Sequence, residues 1–257
     1  MKHSLFYRVV SITLAFVLSV FMASATYAQE EKINNIVLVH GAFADGSSWS
    51  EVTARLQAMG YHVTAVQNPL TSLQDDVAAT MRVIQRQHGD VLLVGHSWAG
   101  AVISQAGNDP AVKGLVYLSA LIPNSGESVS DLLQRLNAPM EGLKPDQDGL
   151  IWLDDPKIFH HVMANDVPEA KSRLLSAAQQ PIAAQAFSGK VQQAAWKTKP
   201  SWYLLTENDN ALKPSLQETL AHDIGATLLR IPSSHMSMIS HPDAVAAFID
   251  NAARHLK

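Results

Sequence analysis

The sequence predicts an α/β fold: a six-stranded, mostly parallel sheet with helices on both faces and an inserted helical cap. Three observations predict it. From residue 35 onward, short runs rich in β-branched residues alternate with stretches of helical periodicity. Several of these runs are apolar throughout rather than alternating, the pattern of strands buried on both faces. The rhythm then lapses once, over residues 124–198, before it resumes.

Residues 35–39 (NIVLV) read as the first strand, and apolar residues at helical spacing over 49–59 stop at Gly60. A second strand over 62–66 is followed by a helix over 73–87 that ends before Gly89. The third strand, 91–94 (VLLV), leads into a small-residue helix over 98–107, and 112–118 is the fourth strand. After the lapse come a strand at 202–206, a helix at 214–224, a strand at 227–231 and a closing helix at 242–255. Strands linked by crossover helices form one parallel sheet covered on both faces. The interrupting stretch carries helical patterning over 130–136, 156–163, 168–180 and 182–197, a Gly/Pro/Asp-rich loop over 137–155, and no convincing strand. Inserted at a strand's carboxyl end, it would lie over a site as a lid; the alternative is that its helices belong to the ordinary core. The expected organisation is a core of residues 29–123 and 199–257 with a cap of residues 124–198.

Residues 1–28 differ from the rest of the chain. Lys2 and Arg8 are their only charges, an almost unbroken apolar run covers 9–22, and small residues lead to Thr26-Tyr27-Ala28. These are the parts of a secretory signal peptide, cleaved after Ala28 or, as a second option, Ala25. The run is short for a bilayer span of about 20 residues. The alternative is an uncleaved anchor, and no cationic stop succeeds it. The expectation is a bacterial protein exported to the periplasm or beyond, with no stable membrane insertion after cleavage.

Composition excludes several classes. With 257 residues, 47% hydrophobic and 16% charged, the chain is long and apolar enough to bury a core without staples. Its zero cysteines exclude a disulfide framework, a thiol nucleophile, an iron–sulfur cluster and a cysteine-type zinc site. A net charge of −4 argues against nucleic acid as a partner. No HExxH or similar spacing is present, so neither a catalytic metal nor another cofactor is expected.

Ligands of such sheets bind beyond the carboxyl ends of the strands. After the third strand the chain reads Gly95-His96-Ser97-Trp98-Ala99-Gly100. A serine on a sharp strand-to-helix turn is exposed at the top of the sheet, and crowding of helix against strand demands small neighbours. After the first strand, His40-Gly41-Ala42-Phe43-Ala44-Asp45-Gly46 can aim a backbone N–H at a developing oxyanion; it lacks the glycine pattern and lysine of a phosphate loop. After the fifth and sixth strands come Glu207-Asn208-Asp209 and Ser233-Ser234-His235-Met236. A serine hydroxyl needs a base, supplied by His235, and a carboxylate, Asp209 or Glu207, would fix that base's tautomer. Other histidines have plainer readings. His96 packs against the sheet, His40 bonds the loop backbone, and His241 marks a helix start. His161 and Asp166 could line a pocket, although surface positions suit them better.

The stretches HGAFADGSSW, GHSWAG, PSWYLLTENDNAL and SSHMSMISHP resemble the α/β-hydrolase superfamily, and within it bacterial relatives of plant methylesterases and hydroxynitrile lyases. The resemblance implies Ser97 as nucleophile, Asp209 rather than Glu207 as acid, and His235 as base. It also implies the N–H groups of Ala42 and Trp98 as the oxyanion hole and a helical cap over 124–198. Two departures stand out. Ala99 replaces the usual second glycine of the serine turn. Met236 stands where the lyases carry the lysine that holds developing cyanide, which disfavours lyase activity.

The expected function is a serine hydrolase that cleaves a small, largely apolar carboxylic ester or lactone through an acyl-enzyme. Phe43, Trp98, Leu121, Phe159, Phe187 and Met236 would form its apolar pocket, with ordinary core as the alternative for each. Other chemistry on the same frame, such as carbon–carbon hydrolysis or elimination, and slow-turnover ligand binding remain open.

Overall fold

The computed structural model of the chain describes residues 33–139 and 142–256; the export signal read over residues 1–28 lies outside them. A parallel sheet is formed by β1 (Asn35–Val39), β2 (His62–Ala65), β3 (Val91–His96), β4 (Val112–Leu118), β7 (Ser201–Thr206) and β8 (Thr227–Ile231), in the order β2-β1-β3-β4-β7-β8. The residues of β1, β3 and β7 are all buried, as their central apolar runs require, and the polar residues at their ends (Asn35, His96, Ser201 and Thr206) are buried with them. The sheet's edges are wetter: only Val63 of β2 and only Ile231 of β8 are buried.

The helices follow from caps and chain direction. α1 (Ser50–Ala58) is preceded by a 3₁₀ turn, Gly46–Trp49, where the Asp45 side chain accepts from Ser47 N. α2 (Leu73–Ile84) starts at Ser72, whose hydroxyl accepts from Asp75 N at 3.0 Å. α3 is Ala99–Ala106, α7 is Pro214–Asp223 and α8 is the single turn Ser237–Ser240. α9 (Pro242–His255) opens with proline at its first position and ends with Arg254 and His255 at the negative end of the helix dipole. From β1 the chain moves outward to β2, then returns past β1 to β3 and on to β4. Right-handed crossovers in opposite directions put α1 on one face and α2 and α3 on the other. Accordingly α1 packs on α9, and α2 on α3. The reversal falls between β1 and β3, the crevice where open parallel sheets bind ligands.

The stretch between β4 and β7 contains α4 (Val129–Arg135), α5 (Pro156–Met163) and α6 (Glu169–Ala178), close to the expected helices. Two expectations fail there. A strand pair exists: β5 (Leu150–Ile151) runs antiparallel to β6 (Ile182–Ala183). Asp146 nucleates the turn before β5, accepting from Asp148 N and Leu150 N at 2.9 Å and from the Trp152 indole at 2.9 Å. And 182–197 is not a helix: β6 gives way to two short 3₁₀ turns, Ala184–Ser188 and Ala195–Lys197. Ala183 N donates to Leu70 O at 2.9 Å, which holds the segment extended. At Gly189 the chain passes so close to α2 that a Cβ there would lie 2.7 Å from the Leu73 Cβ. Tertiary contact thus overrides the alanine-rich helical propensity. Among the described residues, no helix is long and apolar enough to cross a membrane.

Phe159 of α5 is fully buried in the same hydrophobic core as the sheet. Phe159→Ala should therefore lower global stability by about 3–5 kcal/mol. Urea unfolding measures it; a loss under about 1 kcal/mol would mean that this stretch contributes nothing to the common core.

Candidate active site

Backbone strain gathers at the carboxyl rim of the sheet. Of the described non-glycine residues, five have positive φ, and Phe43 (58°), Leu70 (57°), Ser97 (54°) and Ser119 (43°) each follow one of the first four strands. Such conformations cost about 1–3 kcal/mol each and persist where the surroundings enforce them. At Ser97 the enforcement is visible. Ser97 N donates to Leu118 O at 3.0 Å, and Ser97 O accepts from Gly100 N at 3.0 Å and Leu121 N at 3.1 Å. A Cβ on Gly95 would lie 2.9 Å from Ala99 O, and one on Gly100 would lie 2.9 Å from Ala120 Cβ and nearer still to the Leu121 carbonyl oxygen. The close approach therefore falls at positions 95 and 100, and Ala99 is accommodated in full burial. On the other side, a Cβ on Gly41 would lie 2.9 Å from both His96 Nδ1 and Ser97 Cβ. The loop after β1 can reach the serine only because residue 41 is glycine.

That loop is held by His40. Its Nε2 accepts from Asn68 N at 2.9 Å, which puts the proton on Nδ1, and Nδ1 donates to Gly41 O at 2.9 Å. Burial lowers the His40 pKa and keeps the ring in this neutral form. Among the described residues, no hydrogen-bond acceptor takes the N–H of Ala42 or of Trp98.

Asp209 and His235 meet in the interior. Asp209 Oδ2 lies 2.7 Å from His235 Nδ1, and the two side chains are 0% and 2% exposed. A carboxylate only accepts, so Nδ1 carries the proton and Nε2 is left with a lone pair. The carboxylate accepts four further bonds. Ala211 N and Leu212 N reach Oδ1 at 2.8 Å, while Thr206 Oγ1 at 2.8 Å and Gln217 Nε2 at 2.9 Å reach Oδ2. Ser119 Oγ continues the chain to Thr206 Oγ1 at 2.9 Å. Glu207, the rival acid, is exposed, and its carboxylate takes no part in this network. The structure thus joins two members of the expected trio by a direct bond. Ser97 is brought to the same rim through its neighbour His96, whose ring centroid lies 4.7 Å from that of His235. Among the described residues, no hydrogen bond joins the Ser97 hydroxyl to His235, a contact that often tightens only with substrate bound.

The sequence profile of the alpha/beta hydrolase family matches residues 36–248, which takes in every strand of this sheet except the first residue of β1, and the rim. The chain belongs to the alpha/beta hydrolase family. It is 29% identical over 242 residues to the alpha/beta hydrolase nvfD of Aspergillus novofumigatus, covering 85% of this chain and 96% of that protein. It is 25% identical to salicylic acid-binding protein 2 of Nicotiana tabacum, covering 83% and 94%. Among solved structures, polyneuridine aldehyde esterase superposes with a TM-score of 0.75 at 18% identity, covering 86% of this chain and all of that one. This hydrolase therefore has esterase-type homologues and their fold.

The expected pocket residues of the hydrolase divide. Phe43 and Met236 line a cleft of about 30 Å³, together with Leu175, Ala178 and Gln179 of the inserted stretch. Trp98 and Phe187 meet edge-on with centroids 5.2 Å apart, and Leu121 is bonded to the Ser97 carbonyl. Phe159 is packed in the core, and neither it nor Trp98, Leu121 or Phe187 lines that cleft. His96 departs from its plain reading: its Nε2 donates to the His235 carbonyl at 2.9 Å, across the rim from its own strand.

Asp76 was not legible as a site residue. It is fully buried on α2, and it accepts the Trp98 indole N–H at 2.7 Å and Leu70 N at 2.8 Å. It anchors two strained turns of the rim at once. The available signal was an acidic residue on the apolar face of α2, in helical register with Leu73 and Thr80.

Burial pushes the Asp76 carboxyl up to about 6, against the hydrogen bonds from Trp98 and Leu70 that favour its charged form. The folded state therefore holds this proton more tightly than the unfolded chain. Stability from this group is complete below about pH 4 and falls by up to about 3 kcal/mol as pH rises through about 6. Asp76→Asn removes that titration. Urea unfolding from about pH 4 to beyond pH 6 should show the wild type losing stability relative to the variant; parallel profiles would refute the buried charge.

Proposed function

We propose that this protein is a serine hydrolase that cleaves a small, largely apolar carboxylic ester or lactone through an acyl-enzyme. The observation that carries the reading is the buried Asp209–His235 bond at 2.7 Å, on the rim that holds Ser97 in a strained turn. Ser97 Oγ attacks the carbonyl carbon while His235 Nε2 takes its proton. Asp209 keeps that proton acceptor in the right tautomer and stabilises the imidazolium. The N–H groups of Ala42 and Trp98 receive the tetrahedral oxyanion, and losing one such donor costs about 3–4 kcal/mol of barrier. The intermediate collapses, the C–O bond to the leaving group breaks, and His235 returns its proton to the departing alkoxide. Water, deprotonated by His235, then releases the acid and restores Ser97.

Phe43, Trp98, Phe187 and Met236 support an uncharged, apolar substrate, since each is buried around this rim. In this reading residues 124–198 form the lid, with α6 sharing the cleft with Phe43 and Met236. Relatives named as esterases support ester cleavage, including polyneuridine aldehyde esterase of Rauvolfia serpentina. Met236, buried and uncharged, argues against a site built to hold cyanide. The signal-like residues 1–28 support export, in which the mature protein works in a bacterial periplasm or outside the cell.

A fluorophosphonate probe should label the wild-type protein and not Ser97→Ala, and the wild type should hydrolyse short p-nitrophenyl esters at least about 1,000-fold faster than that variant. Folded wild type that takes no label would refute the serine nucleophile. Labelling without activity on an ester and lactone panel would instead point to other chemistry on the same frame.

A further inference from the structure

The chain from the end of α5 to the start of α6 makes an unusual set of contacts. Asn210 Nδ2 donates to His161 O at 2.9 Å, and Asn165 Nδ2 donates to Asn208 O at 2.9 Å. Ser234 N donates to Asp166 Oδ2 at 2.9 Å, and Met236 N donates to Met163 O at 3.1 Å. Residues 208 and 210 bracket Asp209; residues 234 and 236 bracket His235. One short piece of chain, which belongs to neither loop, thus holds both loops on either side of the two groups that must align.

The piece is itself fixed. Met163 and Ala164 are buried, and Phe159 one turn earlier is fully buried. Ala164 N closes α5 on His160 O, and Val167 N donates to Ala164 O at 3.0 Å. Asp166 is also 3.5 Å from His241 Nδ1 at the start of α9. By contrast, the two loops are tied to each other directly by few backbone bonds, Glu207 N to Ile231 O at 2.9 Å and Asn208 N to Ser233 O at 3.0 Å, both on the strand side of Asp209. The Asp209 carboxylate is fixed within its own loop by Thr206, Ala211, Leu212 and Gln217, but those bonds do not set the distance between that loop and the His235 loop. Bonds on both flanks set that distance, as imidazole–carboxylate alignment demands.

We propose that residues 161–166 are a template that sets the spacing of the Asp209 and His235 loops, with Asn165 and Asp166 as its positioning residues. The link to catalysis rests on the hydrolase reading above; the link to the Asp209–His235 bond does not. The consequence is that the stretch inserted between β4 and β7 does more than cover a pocket: it carries part of the geometry of the site.

The test compares Asn165→Ala/Asp166→Ala with wild type by proton and nitrogen-15 NMR of the His235 imidazole, assigned by its loss in His235→Gln. In the double variant the Nδ1 proton resonance should move upfield and exchange faster with water. On a short p-nitrophenyl ester, kcat should fall about 10- to 100-fold, the scale of a sub-ångström to 1 Å misplacement, with KM within about two-fold. Asp166→Asn keeps an oxygen for the Ser234 N–H and should retain the wild-type resonance. Simple destabilisation would lower the melting temperature without moving the resonance well below it. If the double variant does not fold, Asn165→Ala/Asn210→Ala, which leaves the Asp166 contact intact, is measured in the same way. Unchanged imidazole resonances in a folded variant overturn the template. A wild type that cleaves no ester overturns the hydrolase reading instead, and the resonances still decide the template.

Discussion

The arrangement of the rim depends on one buried hydrogen bond, His235 Nδ1 to Asp209 Oδ2. An ionised carboxylate withdrawn from water is tolerable only when its lone pairs are met, and Asp209 meets that condition with two backbone N–H groups, a threonine hydroxyl and a glutamine amide besides the imidazole. Those partners come from the end of β7, the loop beyond it and α7. The carboxylate thereby welds strand, loop and helix into one unit, to which the histidine is joined from the loop after β8. Tightness here is local, and it makes the position of the imidazole a property of the fold.

The opposite wall is governed by steric exclusion rather than by charge. Gly41, Gly95 and Gly100 stand where a methyl group would collide with the serine turn or its neighbours. Ser97 and Phe43 take up the strain that such close approach creates. Asp76 and His40 then bolt the strained turns from behind, one through an indole and a backbone N–H, the other through a carbonyl and the Asn68 N–H. The two halves of the site are thus built by different forces, hydrogen-bond saturation around Asp209 and close packing around Ser97.

The readable parts of the sequence were those with local causes. β1, β4 and β8 fall on the expected residues because each is a short run bounded by turn-forming or polar residues, and α5 and α9 do because proline sets their first position. The serine turn was legible from its small residues, whereas Asp209 was preferred to Glu207 only through the resemblance to the α/β-hydrolase superfamily. The illegible parts have distant causes. Residues 182–197 look helical by composition, yet a bond to Leu70 and the proximity of α2 dictate an extended path. Asp76 reads as one more acid in a helix's first turn until Trp98 folds over it. Asn165 and Asp166 sit in a loop of ordinary composition, and only the tertiary structure reveals what they touch.

His96 has a consequence for charge. Its Nε2 proton is spent on the His235 carbonyl, its Nδ1 is buried without a partner against Gly41, and burial together with the nearby His235 holds its pKa well below the usual imidazole value. Two imidazoles in contact, each able to bind a proton, would compete for it and repel one another once both were cationic. Because burial keeps His96 neutral, it brings no second positive charge to the corner where His235 faces Asp209.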